Sequence, residues 1–342
     1  MKLLIITQKV DRNDPVLGFF HRWITEFSKY CEKLTIICLQ KGDLDLSSNI
    51  KVLSLGKENG ESRLKYVLNF YKYIKEEKNN YDAVFVHMNQ EYVLLGAVPW
   101  KSWNKKIILW RNHPRGNFFT DIAVYLSDKV FCTSPFSYTA NFKKTEIMPV
   151  GIDTDFFKNI SDGQKKKNSI LFLGRISPIK RTDLFIKILK NLKEEKVVFS
   201  ATIVGDYLPR DKEYFENIKK DISKYGLEDY IKIESAVSND ETLKKYNKYA
   251  IYMNLTPSGS FDKTIFEAMS SESLILVSNK GLRGKIEDDF ICKENDIKDS
   301  AEKLKNLLNL SEDKVKSYGK ELRELVIKEH SLKKLGEVLF KN

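Results

Sequence analysis

The sequence lacks the features of a secreted, disulfide-stabilised or membrane-spanning protein. It has only four cysteines, Cys31, Cys38, Cys132 and Cys292, and no two of them form a C-x-x-C pair. This pattern predicts reduced thiols in a cytosolic protein. No apolar stretch approaches the roughly 20 residues that a membrane span requires. The apolar run at residues 3–6 is too short for a signal peptide, and no small-residue cleavage site follows it.

Low-complexity tracts and collagen-like repeats are also missing. Hydrophobic residues make up 42% of the chain and charged residues 31%, a composition that is typical of a globular protein. A chain of 342 residues exceeds the usual size of one hydrophobic core. We therefore expect two domains of roughly 150 residues each.

The net charge of +11 is concentrated in the first half of the chain. Residues 1–150 carry 22 basic and 15 acidic side chains, and the segment from Trp100 to Arg111 interleaves tryptophans with cations. This pattern suits a lipid-phosphate substrate or an anionic membrane surface, and the latter implies peripheral association at the inner face of a membrane. It is also typical of a solvated rim beside a core strand. No nucleic-acid motif accompanies the charge, which argues against a nucleic-acid partner.

Short aliphatic or β-branched runs alternate with helical patterns along the chain. In the first half, strands are predicted at residues 2–7, 34–39, 52–55, 83–87, 106–110, 129–133 and 146–149, and helices at 18–30, 62–77, 92–100 and 119–126. In the second half, strands are predicted at 169–173, 198–204, 231–234, 250–255 and 274–278, and helices at 181–193, 212–225, 240–246, 263–270, 299–309 and 312–340. This alternation predicts an α/β fold with parallel sheets covered on both faces.

A polar stretch divides the two series of elements. We assign an N-terminal domain to residues 1–157, a linker to 158–168, a C-terminal domain to 169–325, and a terminal helix, packing back toward the N-terminal domain, to 326–342. Each domain is predicted to be a doubly wound, Rossmann-like sheet, and such sheets bind ligands at the carboxyl ends of their strands. Two such domains are expected to leave a cleft between them.

The first candidate site follows the predicted strand at residues 169–173. Gly174 begins a loop that contains the cations Arg175 and Lys180. Fixed Arg and Lys donors at a strand end would stabilise the negative charge that builds on a departing diphosphate. Cations near a helix start are, however, also common without any ligand.

The second candidate site lies between the strand at 250–255 and the next helix. Its residues are Ser260, Phe261, Asp262, Lys263, Thr264 and Glu267. Backbone N–H groups at such a helix start can bind an anion. Lys263 and Glu267 lie on one helix face, and an ordinary salt bridge explains them equally well. A third candidate, Gly205, ends the strand at 198–204, where it permits close approach of a ligand or serves only as a turn.

Four motifs, in this order along nearly the whole chain, resemble those of the retaining glycosyltransferase family four, which has the GT-B fold. They are Met-Pro-Val-Gly-Ile-Asp-Thr-Asp-Phe-Phe at 148–157, Leu-Gly-Arg with a later Lys at 173–180, Ile-Val-Gly-Asp at 203–206 and Phe-Glu-Ala-Met at 266–269. The resemblance implies a hexosyltransferase that binds a UDP- or GDP-sugar in the cleft without metal or other cofactor. It further implies transfer with retention of configuration to a glycan or lipid-linked acceptor, in the synthesis of surface polysaccharide or glycolipid.

The resemblance also implies roles for individual residues of the second domain. Arg175 and Lys180 match the basic pair that contacts the donor diphosphate. Glu267 matches the second glutamate of the family's E-x7-E element, which contacts the nucleotide ribose. Gly259 stands where the first glutamate is expected, a variation that resembles some bacterial members. The contact to the donor sugar is therefore expected from residues 260–263.

In the first domain, Gly18 lies where the family brings backbone amides to the phosphates. His113 resembles the family's catalytic histidine near the reacting sugar, and His87 and Asn89 are candidates for the acceptor side. A purely structural role explains either histidine as well. No general base is assigned, because the departing phosphate can itself take the proton of the acceptor hydroxyl.

Two other functions are compatible with the sequence. A nucleotide-sugar epimerase of the same architecture would need several acidic and histidine groups around the sugar, whereas the loop at residues 258–263 offers only Asp262. A non-catalytic protein that binds a nucleotide sugar or another polyanion is compatible with Gly259 and with the basic surface.

Overall fold

The computed structural model describes residues 1–14, 16–160 and 165–341. Residues 161–164 of the predicted linker and the terminal Asn342 lie outside the described residues. The chain forms two compact units, which we name unit 1 (Met1–Gly151 and the residues from Leu332 onward) and unit 2 (Ile152–Ser331). Each unit contains its own parallel sheet, so the predicted α/β class is confirmed.

Unit 1 contains a seven-stranded sheet whose strand order is β3-β2-β1-β4-β5-β6-β7. The strands are β1 (Lys2–Val10), β2 (Lys33–Lys41), β3 (Ile50–Ser54), β4 (Ala83–His87), β5 (Lys106–Trp110), β6 (Lys129–Cys132) and β7 (Thr145–Ile147), and the helices between them are α1 (Gly18–Ser28), α2 (Arg63–Glu76), α3 (Glu91–Ser102) and α4 (Phe118–Leu126). All neighbouring strands are parallel. The strand order reverses between β1 and β4.

The central strands of unit 1 are buried on both faces, as their continuous apolar sequences predict. In β1, Leu3 and Ile5 belong to the hydrophobic cluster that includes α1. The alternate residues Leu4 and Ile6 belong to the cluster that includes α2, α3 and α4. Successive side chains of a strand point to opposite faces, so the helices cover the sheet on two sides.

Two tryptophans of the basic segment from Trp100 to Arg111 lie in this core. The Trp100 ring packs against Phe70 of α2 with ring centroids 5.8 Å apart, and Trp110 packs against Trp23 of α1 at 5.0 Å. Their exposed fractions are 0% and 1%. These two rings are therefore not available to a membrane surface. One ring lies on the inner side of α3 and the other on a strand covered from both faces, and neighbouring cations in sequence do not reveal this.

Unit 2 contains a five-stranded sheet whose strand order is β10-β9-β8-β11-β12. The strands are β8 (Lys166–Leu173), β9 (Ser200–Val204), β10 (Ile231–Glu234), β11 (Tyr249–Asn254) and β12 (Leu274–Val277), and the helices are α5 (Thr182–Glu194), α6 (Lys212–Lys224), α7 (Asn239–Lys248), α8 (Lys263–Ser270), α9 (Ile297–Leu308) and α10 (Glu312–Leu325). All neighbouring strands are again parallel. Here the strand order reverses between β8 and β11.

The predicted helix at residues 312–340 is divided in the structure. After α10, one π-helical turn (Val326–His330) leads to Ser331, whose backbone is extended and forms a parallel bridge with Ile152. The last helix, α11 (Leu332–Lys341), starts afresh. The apolar periodicity continues through this break, so the sequence pattern gave no sign of it.

The two units divide the chain at Gly151, ahead of the predicted linker, and again at Ser331. Gly151 accepts a hydrogen bond from the indole N–H of Trp23 at 2.8 Å, which fixes it to unit 1. Arg323 of α10 donates to the carbonyl oxygens of Thr154 and Phe157 at 3.0 and 2.9 Å, which fixes those residues to unit 2. These long-range contacts place the boundary between the units near residue 151, ahead of the polar stretch at 158–168.

All four cysteines are buried free thiols. Burial raises the pKa of Cys31 and Cys292 to about 11 and that of Cys38 to about 12, so these thiols are protonated at neutral pH. Among the described helices, none combines the length and the apolar character that crossing a bilayer would require.

Candidate functional site

Three loops of unit 2 begin at the carboxyl edge of its sheet. They follow β9, β8 and β11, which are neighbours at the centre of the sheet, and they start at Gly205, Gly174 and Leu255. Ligands of open parallel sheets bind where the strand order reverses, at the carboxyl ends of the strands. The three loops therefore occupy the position at which this architecture places a ligand.

Glycine lets the first two loops pass close to each other. Gly174 and Gly205 have φ angles of +146° and +153°. A Cβ atom added at Gly205 would lie 2.0 Å from the carbonyl oxygen of Gly174, so no side chain fits there. Gly205 is thus required by backbone packing, whether or not a ligand is bound.

Gly205→Ala is expected to lower the free energy of unfolding by about 3 kcal/mol, because it combines an unfavourable φ with a backbone clash. The matched control is Gly284→Ala. Gly284 also has a positive φ, +73°, but an added Cβ meets nothing within 4 Å. We expect this control to cost only about 1 kcal/mol. Urea denaturation of both variants measures the difference, and equal losses would show that the close approach of the two loops is not a constraint.

Arg175 follows Gly174 directly and is exposed. Within the described part of the chain, its guanidinium forms no hydrogen bond and no ion pair. The carboxyl edge of the sheet therefore carries a cation whose charge is not already neutralised by an internal carboxylate.

Lys180, in the loop after β8, forms an ion pair with Asp262 from the loop after β11. The carboxylate of Asp262 also accepts a hydrogen bond from the Asn254 amide at 3.0 Å, and the Thr256 hydroxyl lies 3.5 Å away. Burial raises the pKa of Asp262, but the attraction of Lys180 and these hydrogen bonds outweigh it and hold the pKa below its ordinary value. The ion pair joins the two loops at the point of strand reversal.

A buried polar network fixes the start of α8. The Tyr252 hydroxyl donates to Thr264 Oγ1 at 2.7 Å and accepts from the Asn254 amide at 2.9 Å. Burial raises the pKa of Tyr252 well above its ordinary value, so the hydroxyl remains a donor. Sequence reasoning missed Tyr252 and Asn254. The one local signal was that two polar side chains end an otherwise apolar strand.

The rest of the predicted loop is held by unit 2 itself. Phe261 packs against Phe266 with ring centroids 5.1 Å apart, and the carbonyl of Ser260 accepts from the Asn279 amide at 3.1 Å. The phenyl ring of Phe261 is therefore a buried anchor, so a ligand would meet the backbone at this position. The N-cap residue Asp262 makes no side-chain hydrogen bond to the backbone of α8, because its carboxylate faces the partners described above.

Glu267 of α8 is buried and accepts a hydrogen bond from the Tyr246 hydroxyl at 3.2 Å. Burial lowers the pKa of Lys263 to about 7, and the negative charge of Glu267 opposes this shift. The predicted placement of both side chains on one helix face is consistent with their electrostatic interaction.

In unit 1, His87 ends β4 where the strand order reverses. Its ring stacks on Phe20 at 4.2 Å, and its Nδ1 lies 3.2 Å from the Thr7 hydroxyl. Only 5% of the residue is exposed. Asn89 follows in the half-buried loop, after Met88, which has a φ of +66°. The structure thus places His87 and Asn89 at one edge, with the histidine in an aromatic cluster.

The backbone amides before α1 are already engaged. The N–H of Gly18 donates to the carbonyl of Asp14 at 2.9 Å, and the Asp14 carboxylate accepts from the N–H groups of Val16 and Leu17 at 2.9 and 2.7 Å. An anion binding at the Gly18 amide would have to displace this turn. His113 lies in the exposed loop after β5, where its Nδ1 is 3.1 Å from the backbone nitrogen of Arg115.

Two doubly wound parallel-sheet domains, of seven and five strands, define the GT-B glycosyltransferase fold, which confirms the predicted architecture. The chain is structurally similar to Anabaena HepE in complex with UDP and glucose. The match covers 100% of this chain and 98% of HepE, with a TM-score of 0.79 and 15% sequence identity. It is also similar to sucrose-phosphate synthase from Thermosynechococcus elongatus, over 100% of this chain and 98% of the synthase, with a TM-score of 0.79 and 13% identity. A mutant of S. aureus TarM in complex with fondaparinux, alpha-GlcNAc-glycerol and UDP matches over 100% of both chains, with a TM-score of 0.76 and 12% identity.

The chain belongs to the glycosyl transferases group 1 family, whose sequence profile matches residues 153–324. It is therefore a glycosyltransferase. No curated protein sequence matches the chain.

Proposed function

We propose that this glycosyltransferase is a retaining member of family four that moves a sugar from a UDP- or GDP-sugar to a glycan or lipid-linked acceptor, in surface polysaccharide or glycolipid synthesis. The observation that carries the proposal is the cationic carboxyl edge of unit 2. There Arg175 is exposed without an internal partner, and Lys180 lies at the strand reversal. A nucleotide diphosphate is an anion that such an edge would bind. UDP bound to HepE and to TarM supports the same class of donor.

In this proposal, Arg175 and Lys180 bind the diphosphate and Glu267 binds the ribose. In the free protein Lys180 is paired with Asp262, so the diphosphate competes with that carboxylate for the ammonium group. This competition weakens the contact between Lys180 and the diphosphate of the intact donor. The contact becomes stronger in the transition state, when more negative charge develops on the leaving group.

The sugar contact differs from the family pattern at Gly259. Its φ of +155° is a conformation that side chains rarely adopt, so a glutamate in this loop conformation would be strained. The Asp262 carboxylate is anchored by Lys180 and Asn254 in the same loop region. We assign the donor-sugar contact to Asp262, with the backbone of residues 260–262 and Lys263.

The proposed reaction breaks the bond between the anomeric carbon and the diphosphate oxygen and forms a bond from that carbon to the acceptor oxygen on the same face. The departing diphosphate takes the proton of the acceptor hydroxyl. Arg175 and Lys180 stabilise the charge that develops on the leaving group. In unit 1, Gly18 remains a candidate for phosphate binding, His113 for the reacting sugar, and His87 and Asn89 for the acceptor.

A screen of nucleotide sugars tests the donor class. At about 100 times its dissociation constant, a ligand adds about 2.7 kcal/mol to the free energy of unfolding. We expect a UDP- or GDP-sugar to raise the thermal midpoint, whereas ADP-sugars do not. No shift with any nucleotide sugar or free nucleotide would overturn the proposal.

The same donor then reports on the reaction. The anomeric proton of the transferred sugar, observed by NMR, is expected to show the configuration of the donor. An inverted product would rule out retention. Conversion of the donor into its epimer without an acceptor would instead identify the nucleotide-sugar epimerase.

A further inference from the structure

Exposed apolar side chains are concentrated on three helices of unit 1. Of the 17 large hydrophobic residues that are exposed in the described chain, seven lie on α2, α3 and α4, which contain only about a tenth of the described residues. They are Leu64, Leu68 and Tyr71 on α2, Val98 on α3, and Phe118, Phe119 and Tyr125 on α4. We name this set the α2–α4 face. Single exposed apolar residues are ordinary, but a patch of them marks an interaction surface.

The three helices form one layer. The Tyr71 hydroxyl of α2 donates to the carbonyl of Leu95 on α3 at 3.0 Å, and α3 packs against α4. All three helices cover the same hydrophobic cluster with their inner sides. On α2, Leu64, Leu68 and Tyr71 recur with helical spacing on the side opposite the buried Phe70. The exposed fractions of Val98 and Tyr125, 78% and 77%, show that little of the chain covers this side.

Exposed cations lie on two of the helices that form the α2–α4 face, namely Arg63, Lys65, Lys72 and Lys75 on α2 and Lys101 on α3. Residues 63–126 contain ten basic and five acidic side chains, a net charge of +5 out of +11 for the whole chain. One of the five acids, Glu77, forms an ion pair with Lys51 at 2.5 Å. Exposed apolar side chains beside exposed cations are complementary to the acyl boundary and headgroups of an anionic bilayer.

We propose that the α2–α4 face docks the protein on the surface of an anionic phospholipid bilayer. A second copy of the chain fits less well, because two such faces would oppose like charges. The inference deepens the proposed lipid-linked acceptor class by naming the surface at which that acceptor would be met. The α2–α4 face is not the tryptophan-rich segment from Trp100 to Arg111. The aromatic and aliphatic side chains that form it lie on the outer sides of the helices.

Co-sedimentation of the full chain with vesicles tests this surface. We expect binding to phosphatidylcholine vesicles that contain phosphatidylglycerol, weak binding to pure phosphatidylcholine, and loss of binding at high salt. The pair Leu68→Ser and Tyr125→Ser is expected to lower the partition coefficient at least about tenfold. The double variant Lys65→Ala and Lys72→Ala is expected to lower the partition coefficient about 25-fold, because each cation contributes a factor of about five.

The matched control is Val198→Ser, which removes an apolar side chain of 73% exposure from unit 2 and is expected to leave vesicle binding unchanged. Circular dichroism and the thermal midpoint verify folding, and if one double variant unfolds the other decides. Absent binding, equal binding to neutral vesicles, or unchanged partition in a folded double variant would overturn the proposal. So would a dimer in solution that the apolar pair dissociates. The measurement needs no donor, so its failure is distinguishable from failure of the proposed transfer reaction.

Discussion

Arg175→Ala is expected to lower kcat/KM for sugar transfer by about 10²–10³-fold, a loss of about 3–4 kcal/mol of transition-state stabilisation, while leaving the unfolding midpoint unchanged. The side chain is exposed and has no partner within the described residues, so its removal disturbs no packing or internal ion pair. What the variant loses is a fixed cation where negative charge develops on the departing diphosphate. Steady-state kinetics with the donor identified by the thermal screen measure the effect.

Two controls sharpen this experiment. Arg175→Lys keeps a positive charge but loses the two-pronged geometry of the guanidinium, so we expect an intermediate rate. Lys220→Ala removes an exposed cation from α6 and is expected to leave turnover unchanged. Full activity of the Arg175→Ala variant would show that Arg175 does not bind the diphosphate.

The second large effect is expected from the ion pair between Lys180 and Asp262. Their side chains are only 19% and 16% exposed, so removing one partner leaves the other charge largely desolvated. We expect Asp262→Asn or Lys180→Met alone to lower the free energy of unfolding by about 3 kcal/mol. The double variant should lose little more than either single variant, and urea denaturation of all four proteins measures this coupling.

The exposed pair Lys190 and Glu194 on α5 provides the matched control. Its side chains are 42% and 58% exposed, and the same cycle is expected to give a coupling of only about 0.5 kcal/mol or less. Additive losses at Lys180 and Asp262 would show that the two loops are not joined by this contact.

The pH dependence of the same variants follows from the direction of the Asp262 shift. Its pKa in the folded protein lies below the ordinary value of 3.8, so its contribution to stability is complete above that value and is lost as the pH falls below it. Asp262→Asn should therefore remove part of the acid destabilisation below about pH 4 and leave the slope at neutral pH unaltered.

The regular elements were predictable because their signals are local. A buried parallel strand such as β8 appears as a short apolar run, and the glycine and cations that follow it mark its carboxyl end without knowledge of the fold. The doubly wound architecture followed from the alternation of such runs with helical patterns. The same local information also located Arg175 and Lys180 in the loop after β8.

The partners of these residues were not predictable, because they depend on which strands are neighbours. Lys180 and Asp262 are 82 positions apart and meet because β8 and β11 are adjacent at the strand reversal. The burial of Trp100 and Trp110 was also not predictable from local sequence. Their neighbours in sequence are charged, whereas their neighbours in space are aromatic. At Gly18 the missing information was the turn in which Asp14 engages the backbone amides.

The assignment of α11 to unit 1 has a consequence for how the chain folds. Phe340 of α11 stacks on Tyr30, two residues after the end of α1, at 5.1 Å, and Leu335 lies in the same hydrophobic cluster as Trp23. Unit 2 is therefore an insertion into unit 1. On the ribosome, residues 152–331 have to emerge before the first hydrophobic core can be closed, so the domain that begins first finishes last. Until then the part of α1 that α11 covers is exposed, and nascent-chain chaperones have time to bind it.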